Sequence, residues 1–209
     1  MRHPRSFLGP ARRAGLFQQM MRAFLIASAL ACATVIPCFG ESLSERMNLC
    51  LACHGESGQS KDMEVPSLGA EPAFYVLIQL YLFRENQRKV DVMNEATKGL
   101  TDDDLRQFSD SIAKLPAPKP PPESPDSARM ERGRELVQKY RCGFCHNRDF
   151  AGHDNVPRLA AQREDYLIKS LREYKANSRP GYDATMAEVT QPIPDAEILD
   201  LAYFMARVR

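Results

Sequence analysis

The chain has 209 residues, 44% of them apolar and 26% charged, with a formal net charge of +1. This composition excludes collagen-like, wholly disordered and multi-span membrane classes, and at about 150 residues per domain it allows one or two domains. There is no basic excess for wrapping nucleic acid. The informative count is six cysteines beside four histidines, because their positions are patterned.

Residues 1–40 hold five arginines and no acidic side chain, and Ala23 to Ile36 is a run of 14 apolar or small residues closed by Pro37. A bilayer crossing needs roughly 20 residues, so the run reads as the apolar region of a secretory signal peptide behind a basic leader. Cleavage near Gly40 is expected, with retention as an N-terminal anchor and peripheral membrane association as the alternative. Cleavage would remove Cys32 and Cys38. The remaining four cysteines all lie in CxxC pairs, exposed to an oxidising periplasmic space.

Glu41 to Cys53 reads as a short helix delivering Cys50-Leu51-Ala52-Cys53-His54, and Pro66 to Gly69 as a loop. Residues 72–86 form an apolar helix with Pro72 in its first turn, where the missing N–H costs nothing. Thr101 to Leu115 is a helix capped by Thr101, with Leu105, Phe108, Ile112 and Leu115 on one stripe. Six prolines in the ten residues Pro116 to Pro125 predict an extended, semi-rigid spacer. Beyond it, helices are predicted over 128–145, carrying Cys142-Gly143-Phe144-Cys145-His146, over 163–177, and over 195–208 with Pro194 at the entry. The expected architecture is all-α: a first domain over 41–115, a linker over 116–126 and a second domain over 127–209.

Both five-residue motifs are CxxCH, the attachment signature of a c-type haem. On a helix, positions i, i+3 and i+4 share a face. Two thiols there can each add to a vinyl group of the macrocycle, and the adjacent imidazole reaches the iron. Cys50, Cys53, Cys142 and Cys145 are the expected attachment points, and His54 and His146 the proximal ligands, for two haem c groups. A four-cysteine zinc site would place its pairs about 15–20 residues apart, whereas 88 residues intervene here. A thioredoxin-like pair would want a βαβ pattern, and two disulfides would leave both histidines without a role.

The chain is also a tandem repeat. A shift of 92 residues places Cys50 on Cys142, and a shift of 91 places Pro66 on Pro157, Tyr75 on Tyr166, Leu80 on Leu171, Asn86 on Asn177 and Arg88 on Arg179. A shift of 93 aligns Met93 with Met186, Thr97 with Thr190 and Asp102 with Asp195. Met93 lies 39 residues after His54 and Met186 lies 40 after His146. A methionine sulfur suits the sixth position of a haem iron, so Met93 and Met186 are the expected distal ligands, each on a loop before the last helix of its half. Met63 and His153 have no counterpart in the other half. Tyr75, Tyr81, Phe83, Tyr166 and Tyr174 read as core packing against the macrocycle.

These residues resemble two-haem cytochromes of the cytochrome c4 type, built from two class I cytochrome c domains in tandem. The resemblance rests on the paired CxxCH motifs, the Pro-x-Leu segments at Pro66 and Pro157, the Tyr and Leu positions after them, the Arg88 and Arg179 region, and the methionine before a final Asp-led helix. It implies a periplasmic electron carrier with His/Met ligation at both haems, haem propionate edges close together, and a respiratory partner such as a terminal oxidase. The alternative is a two-haem subunit of a dehydrogenase complex, for example one oxidising sulfur compounds. No enzymatic role is expected, since all four motif cysteines are engaged. Residues 41–115 carry 8 basic and 13 acidic side chains while 116–209 carry 15 and 14, so the first half is the more acidic docking face.

Overall fold

Capping chemistry sets where the helices begin. The computed structural model describes residues 42–179 and 184–209; the leader, its two cysteines and the expected cleavage site lie outside the described residues. The first helix, α1 (Leu43–His54), starts at Ser42, whose hydroxyl accepts from Glu45 N–H while the Glu45 carboxylate accepts from Ser42 N–H, a capping box that satisfies two otherwise orphaned donors. Then follow α2 (Ala73–Arg84), α3 (Asp91–Thr97) and α4 (Asp102–Ala113), the last opened by a Thr101–Asp104 capping box. The second half contains α5 (Ser127–Lys139), α6 (Cys142–Cys145), α7 (Glu164–Lys175), α8 (Thr185–Thr190) and α9 (Asp195–Met205). Pro72 and Pro194 stand just ahead of α2 and α9. Among the described residues there is no strand, in accord with the all-α expectation, and one isolated bridge joins His153 to Val156.

Each half has its own core. In the first, Met47, Val76, Phe108 and Ile112 are buried together, with Leu43, Cys50, Leu51, Leu68, Tyr75, Leu80, Leu100 and Leu115 half-buried around them. The second is larger and includes Val137, Phe150, Leu167, Leu171, Ile198, Leu201 and Phe204. There α9 packs against both α5 and α7. Gly133 permits the closest approach: a Cβ at this position would lie 2.4 Å from Phe204 Cβ and 2.7 Å from the Asp200 carbonyl oxygen.

The repeat extends to the backbone. Ala70 and Ala161 share a left-handed conformation (φ 52° and 56°), as do Asn86 and Asn177 (φ 54° and 53°). Both Leu68 and Gly69 N–H donate to the Gly58 carbonyl, and both Leu159 and Ala160 N–H to that of Phe150.

The backbone departs from the sequence expectation in three places. The helix predicted over 128–145 ends at Lys139, and Arg141, at φ 54°, breaks it before the short α6. Met93 and Met186 are not in loops: they sit in the first turns of α3 and α8. The proline stretch is not a free spacer either. Gln59 Nε2 donates to the Lys119 carbonyl at 2.8 Å while Lys119 N–H donates to Gln59 Oε1 at 3.2 Å, and Gly69 lies so close to the strap that a Cβ would stand 2.1 Å from the Pro116 carbonyl oxygen.

Candidate haem sites and the interface between the halves

In the first half one helical turn at the end of α1 holds Cys50, Cys53 and His54. In the second, α6 holds Cys142 and Cys145, and His146 follows directly. Both histidines are buried, at 6% and 5% exposure. His54 Nδ1 is bonded to the Pro66 carbonyl at 2.8 Å and His146 Nδ1 to the Pro157 carbonyl at 2.9 Å. A carbonyl can only accept, so in each ring Nδ1 carries the proton and Nε2 is the basic nitrogen. Such a bond fixes the tautomer of a metal-ligating histidine and raises its basicity. Burial pushes both imidazoles below the ordinary value, against the pull of the carbonyl bond, with His153 adding to the effect at His146. Neutral imidazole, the ligating form, is therefore favoured.

Burial pushes Cys50 upward and Cys142 up to about 11, so these two thiols lack the lowered value of an activated nucleophile. Among the described residues no group of three or more His, Cys, Asp or Glu side chains gathers to hold a metal ion. Cys142 and Met186 border the same buried cluster. Met93 and Met186 are both half-buried, and each main-chain carbonyl accepts from a threonine one turn on: Thr97 Oγ1 to Met93 O at 2.8 Å and Thr190 Oγ1 to Met186 O at 2.7 Å. Met63, 79% exposed, and His153, paired with Asp154 at 3.1 Å on the surface, stay apart from both sites.

A crossed network between the halves escaped the sequence reading. Arg88 donates to Gln79 Oε1 within its own half at 2.7 Å and to the Tyr166 hydroxyl in the other at 3.3 Å. Arg179 repeats this with Ser170 Oγ at 2.7 Å and the Tyr75 hydroxyl at 3.2 Å. Each guanidinium also lies over an aromatic ring, Arg88 over Phe83 at 4.5 Å and Arg179 over Tyr174 at 4.8 Å. Tyr75 and Tyr166 thus carry hydroxyl contacts across the interface in addition to packing, and Tyr81 is 44% exposed, outside the core stripe predicted for it. Side chains also grip backbone across the interface: Gln162 holds both the N–H and the carbonyl of Ser67, each at 2.8 Å, and Glu71 accepts from Arg158 N–H at 3.0 Å. The signal was the alignment of Arg88 with Arg179 and of Glu71 with Gln162 in the repeat. What it could not indicate is that each member reaches its partner's half.

The chain's own groups suit a haem. The first half has only a small buried cluster, ringed by half-buried apolar side chains, which a large planar apolar group would complete. Arg179 Nε is buried without a hydrogen-bond partner, and a buried donor of this kind fits an anionic substituent such as a propionate.

Two turns of CxxCH, each with a buried, carbonyl-bound histidine, define a protein that binds c-type haem twice. The family model for cytochrome c matches residues 130–209. The thiosulfate dehydrogenase electron acceptor of Thiomonas intermedia is 26% identical over 201 residues, covering 91% of this chain and 92% of that protein. Cytochrome c-554(548) of Halomonas halodenitrificans is 31% identical over 68 residues, 31% of this chain and 82% of the relative. The crystal structure of reduced recombinant cytochrome c4 from Pseudomonas stutzeri superimposes with a TM-score of 0.71 at 22% identity, covering 81% of this chain and all of that one. The chain belongs to the cytochrome c family, and it is similar in fold to two-haem cytochromes of the c4 type. It carries two covalently bound haem c groups and acts as an electron carrier.

Proposed function

We propose that this protein is a periplasmic carrier that takes single electrons from a dehydrogenase and passes them to a respiratory acceptor, and that it is not itself an enzyme. Cys50 and Cys53 in the domain 41–115, and Cys142 and Cys145 in the domain 127–209, form the thioethers. His54 with Met93, and His146 with Met186, would hold the two haem irons. The haem iron supplies the chemistry, a one-electron change between ferrous and ferric states. The chain's residues do the rest: Pro66 and Pro157 hold the imidazoles in one tautomer, Thr97 and Thr190 brace the methionine turns, and the Arg–Tyr pairs keep the halves in register. The observation that carries this reading is the twofold recurrence of the histidine–carbonyl bond beside each thiol pair.

A dehydrogenase as the electron donor is favoured by the relative from Thiomonas intermedia, whose name is that of an electron acceptor for thiosulfate dehydrogenase and whose length is matched nearly throughout. Among the described residues no helix is long and apolar enough to cross a membrane. The axial assignment is tested by the optical spectrum of the ferric holoprotein with Met93 and Met186 replaced by alanine in turn. Each substitution should remove about half of the sulfur-to-iron band; an unchanged band in both variants would overturn the assignment. The intact reduced protein should not bind carbon monoxide.

A further inference from the structure

Each half reaches across the interface to hold one particular peptide group of the other. The Pro66 carbonyl accepts from His54 Nδ1, and the N–H at the far end of that same peptide, on Ser67, donates to Gln162 Oε1 at 2.8 Å. The Pro157 carbonyl accepts from His146 Nδ1, and the N–H of that peptide, on Arg158, donates to Glu71 Oε2 at 3.0 Å. A single peptide group therefore separates each proximal histidine from a side chain of the opposite half. The two side chains are equivalent in the repeat, at a shift of 91 residues, yet one is an amide and the other an acid.

The difference has a chemical consequence. Gln162 completes its grip with a second bond, Nε2 donating to the Ser67 carbonyl at 2.8 Å. A carboxylate has acceptors only, whereas a protonated carboxyl presents one donor and one acceptor, as the amide does. Glu71 is 5% exposed, and none of the described cations forms an ion pair with it. The groups that face it are the guanidiniums of Arg158 and Arg179, the Tyr75 hydroxyl and the Gln162 amide. Arg158 directs its Nε to the Ala160 carbonyl, and Arg179 is held by Ser170 and Tyr75. Burial pushes the Glu71 carboxyl up to about 8, in spite of the Arg158 N–H and the two guanidiniums.

We propose that Glu71 is a proton-binding positioning residue for the haem of the opposite half. Protonated, it accepts from the Arg158 N–H as Gln162 Oε1 accepts from the Ser67 N–H. Ionised, it polarises that peptide, strengthens the hydrogen bond from His146 Nδ1, and so favours the ferric state at the second centre. As one electron leaves the second centre for an external one-electron acceptor, the Glu71 O–H bond breaks and its proton passes to solvent; reduction returns both. Gln162 has no proton to lose in this range, so the first centre lacks the coupling. The inference rests on the proposed ligation of the second haem by His146.

The test is mediated spectroelectrochemical titration of the purified two-haem protein from about pH 6 to about pH 9, where such a carboxyl changes its charge. In the unsubstituted protein one midpoint potential should fall with pH, approaching about one proton per electron, while the other stays level. Glu71→Gln should level both. Gln162→Glu should impose a pH dependence on the centre that lacked it. Infrared spectra of the ferrous protein should show a protonated-carboxyl band that Glu71→Gln abolishes, which reports the proton independently of the haems. Two level potentials in the unsubstituted protein, or a slope that survives Glu71→Gln, would overturn the proposal. If His146→Ala leaves the spectrum of the second centre intact, the ligation reading fails instead, and takes this inference with it.

Discussion

Replacing Glu71 by glutamine should make folding stability insensitive to a proton that the unsubstituted protein must hold. The ordinary glutamate value is 4.5, and in the folded chain burial raises it to about 8. Above the ordinary value the unfolded chain has released this proton while the folded chain still binds it. Stability contributed at this site is therefore fully present below pH 4.5 and declines as pH rises toward about 8. At about 1.4 kcal/mol per pH unit, that window corresponds to a loss of roughly 5 kcal/mol, an upper bound for a site that can relax or admit water. Glutamine has no proton to lose and offers the donor–acceptor pair already seen at Gln162. Urea unfolding of the haem-loaded protein and of Glu71→Gln at a series of pH values would measure the difference. The variant's advantage should be under about 1 kcal/mol near pH 5 and grow to several kcal/mol by about pH 8. A difference that stays constant with pH would refute the reasoning, because the offset would then be one of packing and not of proton linkage.

Tyr75→Phe removes the hydroxyl that accepts from Arg179 Nη2 across the interface. A loss of about 1–3 kcal/mol in urea unfolding is expected, and a change under about 0.5 kcal/mol would mean that water replaces the contact. Gly133→Ala sets a methyl group against Phe204 Cβ and the Asp200 carbonyl where no room exists, so it should destabilise by about 1–3 kcal/mol or more; a neutral result would show that α5 slides freely on α9. The excess of acidic side chains in residues 41–115, 13 against 8 basic, predicts that reduction of a positively charged partner slows as ionic strength rises. Stopped-flow rates indifferent to salt would exclude a docking role for that face.

Much of the site was legible because covalent chemistry demands fixed spacing. Two thiols and an imidazole must share one helical turn, so Cys50, Cys53 and His54 are recognisable without coordinates, as are Cys142, Cys145 and His146. The second copy then identified Met93 and Met186 as equivalent positions. Helix starts were also readable where a cap is local: Thr101 and Asp104 are three residues apart, and their mutual bonds need nothing beyond the chain around them. Helix continuity was not. The sequence through Tyr140 and Arg141 contains no glycine or proline to announce a break, and the left-handed turn at Arg141 has no local signature. The proline stretch suggested a spacer because polyproline geometry is a local property, while its strapping by Gln59 joins residues 60 positions apart.

The sequence by itself determined the class of cofactor, its number, and the doubling of the module, all of which depend on residue type and short spacing. Only the tertiary structure decided how the two modules address each other. Arg88 with Tyr166, Arg179 with Tyr75, Gln162 with Ser67 and Glu71 with Arg158 are contacts between residues 78 to 104 positions apart, and no periodicity or motif encodes such a pairing. The repeat aligns Glu71 with Gln162 as one more variable position. Their meaning comes from burial and from the peptide each one grips, since a carboxyl in water is an ordinary anion, and the same carboxyl shut between two packed halves becomes a proton site one peptide away from a histidine.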